Sequence, residues 1–134
     1  KKIETAVFQA VKRRLPTGLA FNGSASVGCY PRFDFLILAC NQLVSHLDKI
    51  EYMSKGKMKP RVIIRTSIGP KTPLDGGPQH TADYTESFKA MLTNTKVVSL
   101  NEPEEIFPAY EEALLGDEYH STLIIENGGH YNDK

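Results

Sequence analysis

The stretch RVIIRTSIGPKTPLDGGPQH, residues 61–80, decides how this chain is read. Its opening, RVIIRTS, is a short β-branched run, the pattern of a strand covered on both faces. The remainder, residues 67–80, is rich in Gly, Pro, Lys and Thr and is the only long irregular stretch in the sequence. Segments of that length inside a compact domain are usually functional or disordered. Its two glycines allow positive φ angles and close backbone approach, and Pro78 stiffens the step that delivers His80.

Working outward, KVVSL (96–100) and STLIIE (121–126) repeat the buried-strand pattern, and SVGCY (26–30) is a weaker fourth. Helical patterns lie between them. In FDFLILACNQLVSHLDKIEYM (33–53), Leu36, Cys40, Leu43, Val44, Leu47 and Ile50 recur at three- and four-residue steps, with Asn41, Ser45, Asp48 and Lys49 elsewhere, and the helix ends near Lys55-Gly56. TESFKAMLTNT (85–95) is a shorter helix. NEPEEIFPAYEEALLG (101–116) opens on Asn101 as a cap with Glu104 three residues on, closes at Gly116, and contains Pro108, which should kink or split it.

Strands and helices in alternation imply right-handed crossovers. The expected fold class is α/β, an open and mostly parallel sheet with helices on both faces, built as one domain over residues 1–134. Such sheets bind ligands beyond the carboxyl ends of their strands, and the long loop leaves the strand at 61–67 directly. His80 therefore has two readings, a surface-turn histidine or a group set at the cleft of the sheet.

Sixteen basic and sixteen acidic residues cancel, so no field of one sign favours nucleic acid or an anionic membrane. No apolar run approaches the roughly 20 residues that span a bilayer, and KKIETAVFQAVKRRL lacks the continuous apolar region of a signal peptide. A soluble, cytoplasmic protein is expected. Cys29 and Cys40 are too few for a disulfide framework, lack redox or zinc spacing, and read as buried thiols. His46, His120 and His130 pair with no Cys, Asp or Glu at metal-ligand spacing, so no metal site is assigned. The glutamates at 102, 104, 105, 111 and 112 read as a solvated helix face, and no serine sits in a nucleophile-elbow context.

Three stretches taken in order, YPRFDFLILACNQLVSHLDKIEYMSKGKMKPRVIIRTSIG (30–69), GGPQHTADYTESFKAML (76–92) and KVVSLNEPEEIFPAYEEAL (96–114), resemble the pyrimidine-binding domain of thiamine-diphosphate enzymes. The resemblance is greatest to the beta subunits of 2-oxoacid and acetoin dehydrogenases and to other transketolase-like proteins. It implies the same open parallel sheet. It also implies a cofactor, thiamine diphosphate, shared with a partner: this domain holds the aminopyrimidine, and an alpha-type diphosphate-binding subunit or domain holds the diphosphate through Mg2+. That partner carries a Gly-Asp-Gly motif, which neither Asp75-Gly76 nor Gly116-Asp117 reproduces, and relatives also have a carboxyl-terminal domain. The chain is expected to act in a homo- or hetero-oligomer and not alone.

By position, the resemblance puts Phe35 against the aminopyrimidine face, Tyr30, Pro31 and Arg32 in the turn lining its pocket, and His80 near the reacting carbon, as donor or proton carrier. Read from the residues alone, Phe33 and Phe35 are core residues at a helix start. The departure is at the amino end. Glu4-Thr5 begins as relatives do, but Gln9 stands where the catalytic glutamate is expected, and Arg13, Arg14 and Pro16 replace small residues. An amide donates a hydrogen bond but cannot relay a proton, a loss of about 10²- to 10⁴-fold. The sequence thus supports two functions: the pyrimidine-binding half of an enzyme acting on a carbon-carbon bond next to a carbonyl, or a catalytically silent interaction domain retaining the fold.

Overall fold

The computed structural model describes residues 25–118 and 121–132. Four strands, β1 (Ser26–Cys29), β2 (Val62–Ile68), β3 (Thr95–Leu100) and β4 (Ser121–Asn127), form one sheet in the order β1-β2-β4-β3. Every pairing is parallel. Each strand lies within a residue or so of the apolar run that announced it.

Strand alternation sends the same residues to two cores. Val62, Ile64, Leu123 and Ile125 pack with Leu36, Leu43, Leu47 and Phe88 on the first face. Ile63 and Ile124 point the other way, onto Leu100 and Ala113. Each such Leu or Ile contributes about 1.5–3 kcal/mol when fully buried, so the central strands β2 and β4 anchor both layers.

The first layer holds α1 (Phe33–Ile37), a π-helical segment (Gln42–Leu47) and α2 (Ile50–Met53), then, after β2, α3 (Pro78–Thr81) and α4 (Thr85–Met91). The second holds α5 (Ile106–Leu115), reached from β3 through a 3₁₀ turn at Pro103–Glu105. Another 3₁₀ segment, Gly128–Asn132, follows β4. The chain thus crosses from β1 to β2 and on to β3 with helices on one face, then returns to β4 with α5 on the other. Right-handed crossovers require this arrangement. Loops leaving β2 and β3 diverge to opposite faces across the end of β4, which makes that end the switch point of the sheet.

Five local expectations need correction. The long helix at 33–53 is broken. The Asp48 N–H bonds to Leu43 O, five residues back, and this wider turn rotates Asp48 off the expected polar side into the core, where it is 1% exposed. Its carboxylate accepts the backbone N–H groups of Thr93, Asn94 and Thr95, fixing the start of β3. The helix expected to reach residue 95 therefore stops at Met91, and Leu92 is already extended.

Pro108 neither kinks nor splits its helix. It lies in the first turn of α5, where a backbone N–H has no partner within the helix to lose. The capping box is displaced by one residue: Glu105 Oε2 accepts the Asn101 and Glu102 N–H groups, and Glu102 caps in return. The long helix region does end as expected, through left-handed Lys55 and Gly56. Cys29 and Cys40 are thiols outside any disulfide, and both are partly buried instead of fully buried. No helix among the described residues is long and apolar enough to cross a membrane.

Candidate functional site

The residues singled out from the sequence converge at the carboxyl ends of β1 and β2. β1 runs into Tyr30, whose N–H bonds to Arg65 O, and Ser67 at the end of β2 donates to Pro31 O. These two bonds hold the exit turn of β1 against the exit of β2. Arg32 then caps α1 in an extended conformation and sets Asp34 in its first turn.

His80 is carried by a helical turn, not by the loop itself. Gly77 takes φ 78°, Pro78 begins α3, and Asp75 Oδ1 accepts the Gly77 N–H, so DGG folds into a turn that launches one helical turn. Only Gly77 of the glycine pair adopts a positive φ. His80 Nδ1 lies 3.1 Å from Asp34 Oδ2. A carboxylate can only accept, so Nδ1 carries the proton between them and Nε2 remains for other chemistry. The imidazole ring lies 5.9 Å from the Phe35 ring, tilted by 31°.

The two phenylalanines part company here. Phe33 is 1% exposed, stacks on Phe88 and meets Tyr84 edge-on, as a core residue does. Phe35 is partly buried, packs against the same core as the core reading expected, and also faces His80. Tyr30 belongs to the buried core, Pro31 is exposed, and Arg32 is intermediate. Buried Arg32 Nη1 and Asp34 Oδ1 have no hydrogen-bond partner among the described residues. Gly69, where β2 gives way to the long loop, passes so close that an added Cβ would collide with the His80 carbonyl oxygen and Arg32 Nη1. Phe35, Arg32 and His80 are thus brought together, Tyr30 and Pro31 frame them from the core and solvent sides, and Gln9 lies outside the described residues.

Sequence reading missed Asp34 and Gly69. The signal for Asp34 was its place between two phenylalanines, one buried and one at the site. A second polar cluster was also missed. Arg65 forks onto Glu126, Nε to Oε1 at 2.9 Å and Nη2 to Oε2 at 2.6 Å, across neighbouring strands on the second face. Tyr110 from α5 and Tyr131 after β4 both donate to the same carboxylate, and Arg65 reaches Cys29 Sγ at 3.4 Å. Burial opposes ionisation of Glu126, but hydrogen bonds from Arg65, Tyr131 and Tyr110 outweigh it and hold the carboxyl below its usual range. Burial, followed by the Glu126 hydrogen bond, raises both phenols, Tyr131 to about 12. A charged residue closing each of the runs RVIIR and STLIIE was the available clue.

A cavity of about 50 Å³ opens above this cluster, lined by Leu100, Pro103, Ile106, Asn127 and Tyr131 among others. It occupies the switch point, but the Glu126 carboxylate beneath it is already engaged by Arg65 and the two tyrosines. Its role as built is to tie β2, β4 and α5 together. Among the described residues no group of three or more His, Cys, Asp or Glu side chains is placed to hold a metal ion.

A scan against protein-family models gives no match, and a search of the curated proteins gives none either.

Proposed function

We propose that this chain is the pyrimidine-binding half of a thiamine-diphosphate-dependent enzyme of the transketolase or 2-oxoacid dehydrogenase beta-subunit type. It would act with an alpha-type partner that supplies the diphosphate and Mg2+ sites. One observation carries the reading: His80, held by Asp34, faces Phe35 at the carboxyl ends of parallel strands, with the Tyr30-Pro31-Arg32 turn beside them. The residues also fit the group. A flat aminopyrimidine needs an aromatic face, a donor and an acceptor; Phe35, Arg32 Nη1 and Asp34 Oδ1 are those three, and no described residue satisfies the last two.

When bound, thiamine diphosphate supplies the carbon nucleophile for cleavage or transfer next to a carbonyl. The chain's own residues do the positioning. Phe35 gives a rigid stacking surface worth about 1 kcal/mol beyond its buried area. Arg32 and Asp34 set the orientation of a ring that carries both a donor and an acceptor. Asp34 holds the His80 ring so that Nε2 can donate to a developing oxyanion or move a proton.

Gln9 supports a second reading, a catalytically silent domain that keeps the fold, because an amide in the glutamate's place cannot relay a proton. Replacing His80 by Ala in the assembled enzyme separates the two. The enzyme reading expects turnover to fall by roughly 10²-fold with nearly unchanged cofactor affinity. An assembly that binds the cofactor without turnover in the parent, and gains it with Gln9→Glu, supports the silent domain.

A further inference from the structure

Two exposed apolar patches of opposite charge stand on separate elements of the domain. On α5, Ala109, Tyr110 and Ala113 pack toward the second core, which leaves Phe107, Glu111, Leu114 and Leu115 on the helix's outer face at three- and four-residue steps. Phe107 and Leu115 are each 74% exposed. The surrounding segment, residues 101–118, carries seven carboxylates and no lysine or arginine.

The other patch is α2 and the turn after it, in the layer on the first face. Tyr52 is 83% exposed and Met53 and Met58 are exposed beside it. Residues 49–60 carry four lysines; Lys49 and Lys59 pair with Asp48 and Glu51, and exposed Lys55 and Lys57 stand on the turn, whereas Arg61 turns away to donate to Ala113 O of α5. The zero net charge of the chain therefore conceals two lobes of opposite sign, each centred on large apolar side chains. Clusters of this kind mark contact sites, whereas a merely solvated helix face has no need of an outward Phe and Leu pair.

We propose that the acidic apolar face of α5 docks on the basic apolar patch around Tyr52 of a second copy of this chain. The complement that each patch requires, apolar at its centre and opposite in charge at its rim, is the other patch. Both patches face solvent from one domain, so each finds its complement on another copy. Joining two different patches makes the contact heterologous, so copies add head to tail and do not close as a two-fold dimer. Rim charges steer and register such a contact, and Tyr52, Met53, Phe107 and Leu115 supply its buried area.

Sedimentation velocity on the full chain tests this at roughly 100 µM, where a contact of micromolar strength is populated. Self-association is expected at about 0.01 M salt and should weaken at least about 10-fold at about 1 M, where the screening length shrinks from about 30 Å to about 3 Å. The variant Phe107→Ser with Leu115→Ser keeps only the basic patch, and Tyr52→Ser with Met53→Ser keeps only the acidic one. Each should be monomeric alone, and an equal mixture should form a dimer that grows no further. Circular dichroism checks that both retain the parent fold; Glu111→Lys and Lys57→Glu provide a second pair that leaves the apolar residues untouched. A monomeric parent at low salt, variants that still self-associate, or a mixture that stays monomeric would each overturn the proposal.

Discussion

His80 Nδ1 meets Asp34 Oδ2 at 3.1 Å, a contact between residues 46 apart in sequence that joins the segment after β2 to the segment after β1. It fixes which imidazole nitrogen is available. Asp34→Asn keeps the shape of the side chain but removes the anionic acceptor, so the ring loses its preferred tautomer. Under the proposed function, turnover of the assembly should fall by roughly 10-fold or more with little change in cofactor affinity. Nitrogen-15 spectra of the His80 ring should show the tautomer shift directly; an unchanged spectrum would mean that Asp34 does not orient the ring.

Gly69→Ala tests the close approach beneath the same histidine. An added Cβ collides with the His80 carbonyl oxygen and with Arg32 Nη1, and α3 has to move to admit it. A stability loss of about 1–3 kcal/mol is expected by denaturant unfolding, accompanied by displaced His80 and Phe35 ring resonances. A variant as stable as the parent with unshifted rings would place Gly69 away from the site.

Asp48 predicts an acid limit to stability. Burial works against its ionisation, but hydrogen bonds from Lys49, Asn94 and Thr93 prevail and hold the carboxyl below its usual range. A group depressed in the folded state stabilises above its unfolded value of about 3.9 and loses that contribution as pH falls through the folded value. Urea unfolding should weaken below about pH 4, and Asp48→Asn should cost about 3 kcal/mol near neutrality while flattening that acid limb. An Asp48→Asn variant that keeps the parent's acid limb would assign the effect to another carboxyl.

The cluster on the second face predicts the alkaline limit. Burial first, and then the hydrogen bond to Glu126, raises Tyr110 and brings Tyr131 up to about 12. Groups raised in the folded state stabilise below their unfolded value, about 10, and that stability is lost as pH rises through the folded values. In spectrophotometric titration Tyr110 and Tyr131 should ionise late. Glu126→Gln should lower both pKa values, leaving the part that burial raises, and reduce neutral stability by about 2 kcal/mol. A Glu126→Gln variant that leaves the titration of Tyr110 and Tyr131 unchanged would contradict the hydrogen-bonded arrangement.

The sheet was legible because buried parallel strands are short β-branched runs, and 61–67, 96–100 and 121–126 each mark one almost to the residue. Helix interiors were less legible. Periodicity alone put Asp48 among the solvated positions, since nothing local signals a π-type turn that swings a carboxylate inward to meet β3. Pro108 was misread because its effect depends on where the helix starts, which the Glu102 to Glu105 capping box fixes one residue later than Asn101 suggested. At the site, His80 and Phe35 were visible as residue types in position. Their partners were not, because Asp34 and Gly69 act through contacts between separate crossovers that sequence spacing cannot reveal.

The most direct test of the proposed function is calorimetric titration of thiamine diphosphate with magnesium into three samples: this chain alone, its assembly with an alpha-type partner, and that assembly carrying Phe35→Ala. The account predicts no measurable binding by the chain alone, binding by the assembly, and an affinity at least about 5-fold weaker without the Phe35 ring, the equivalent of about 1 kcal/mol of stacking. Tight, magnesium-dependent binding by the lone chain, or an assembly indifferent to Phe35→Ala, would contradict it.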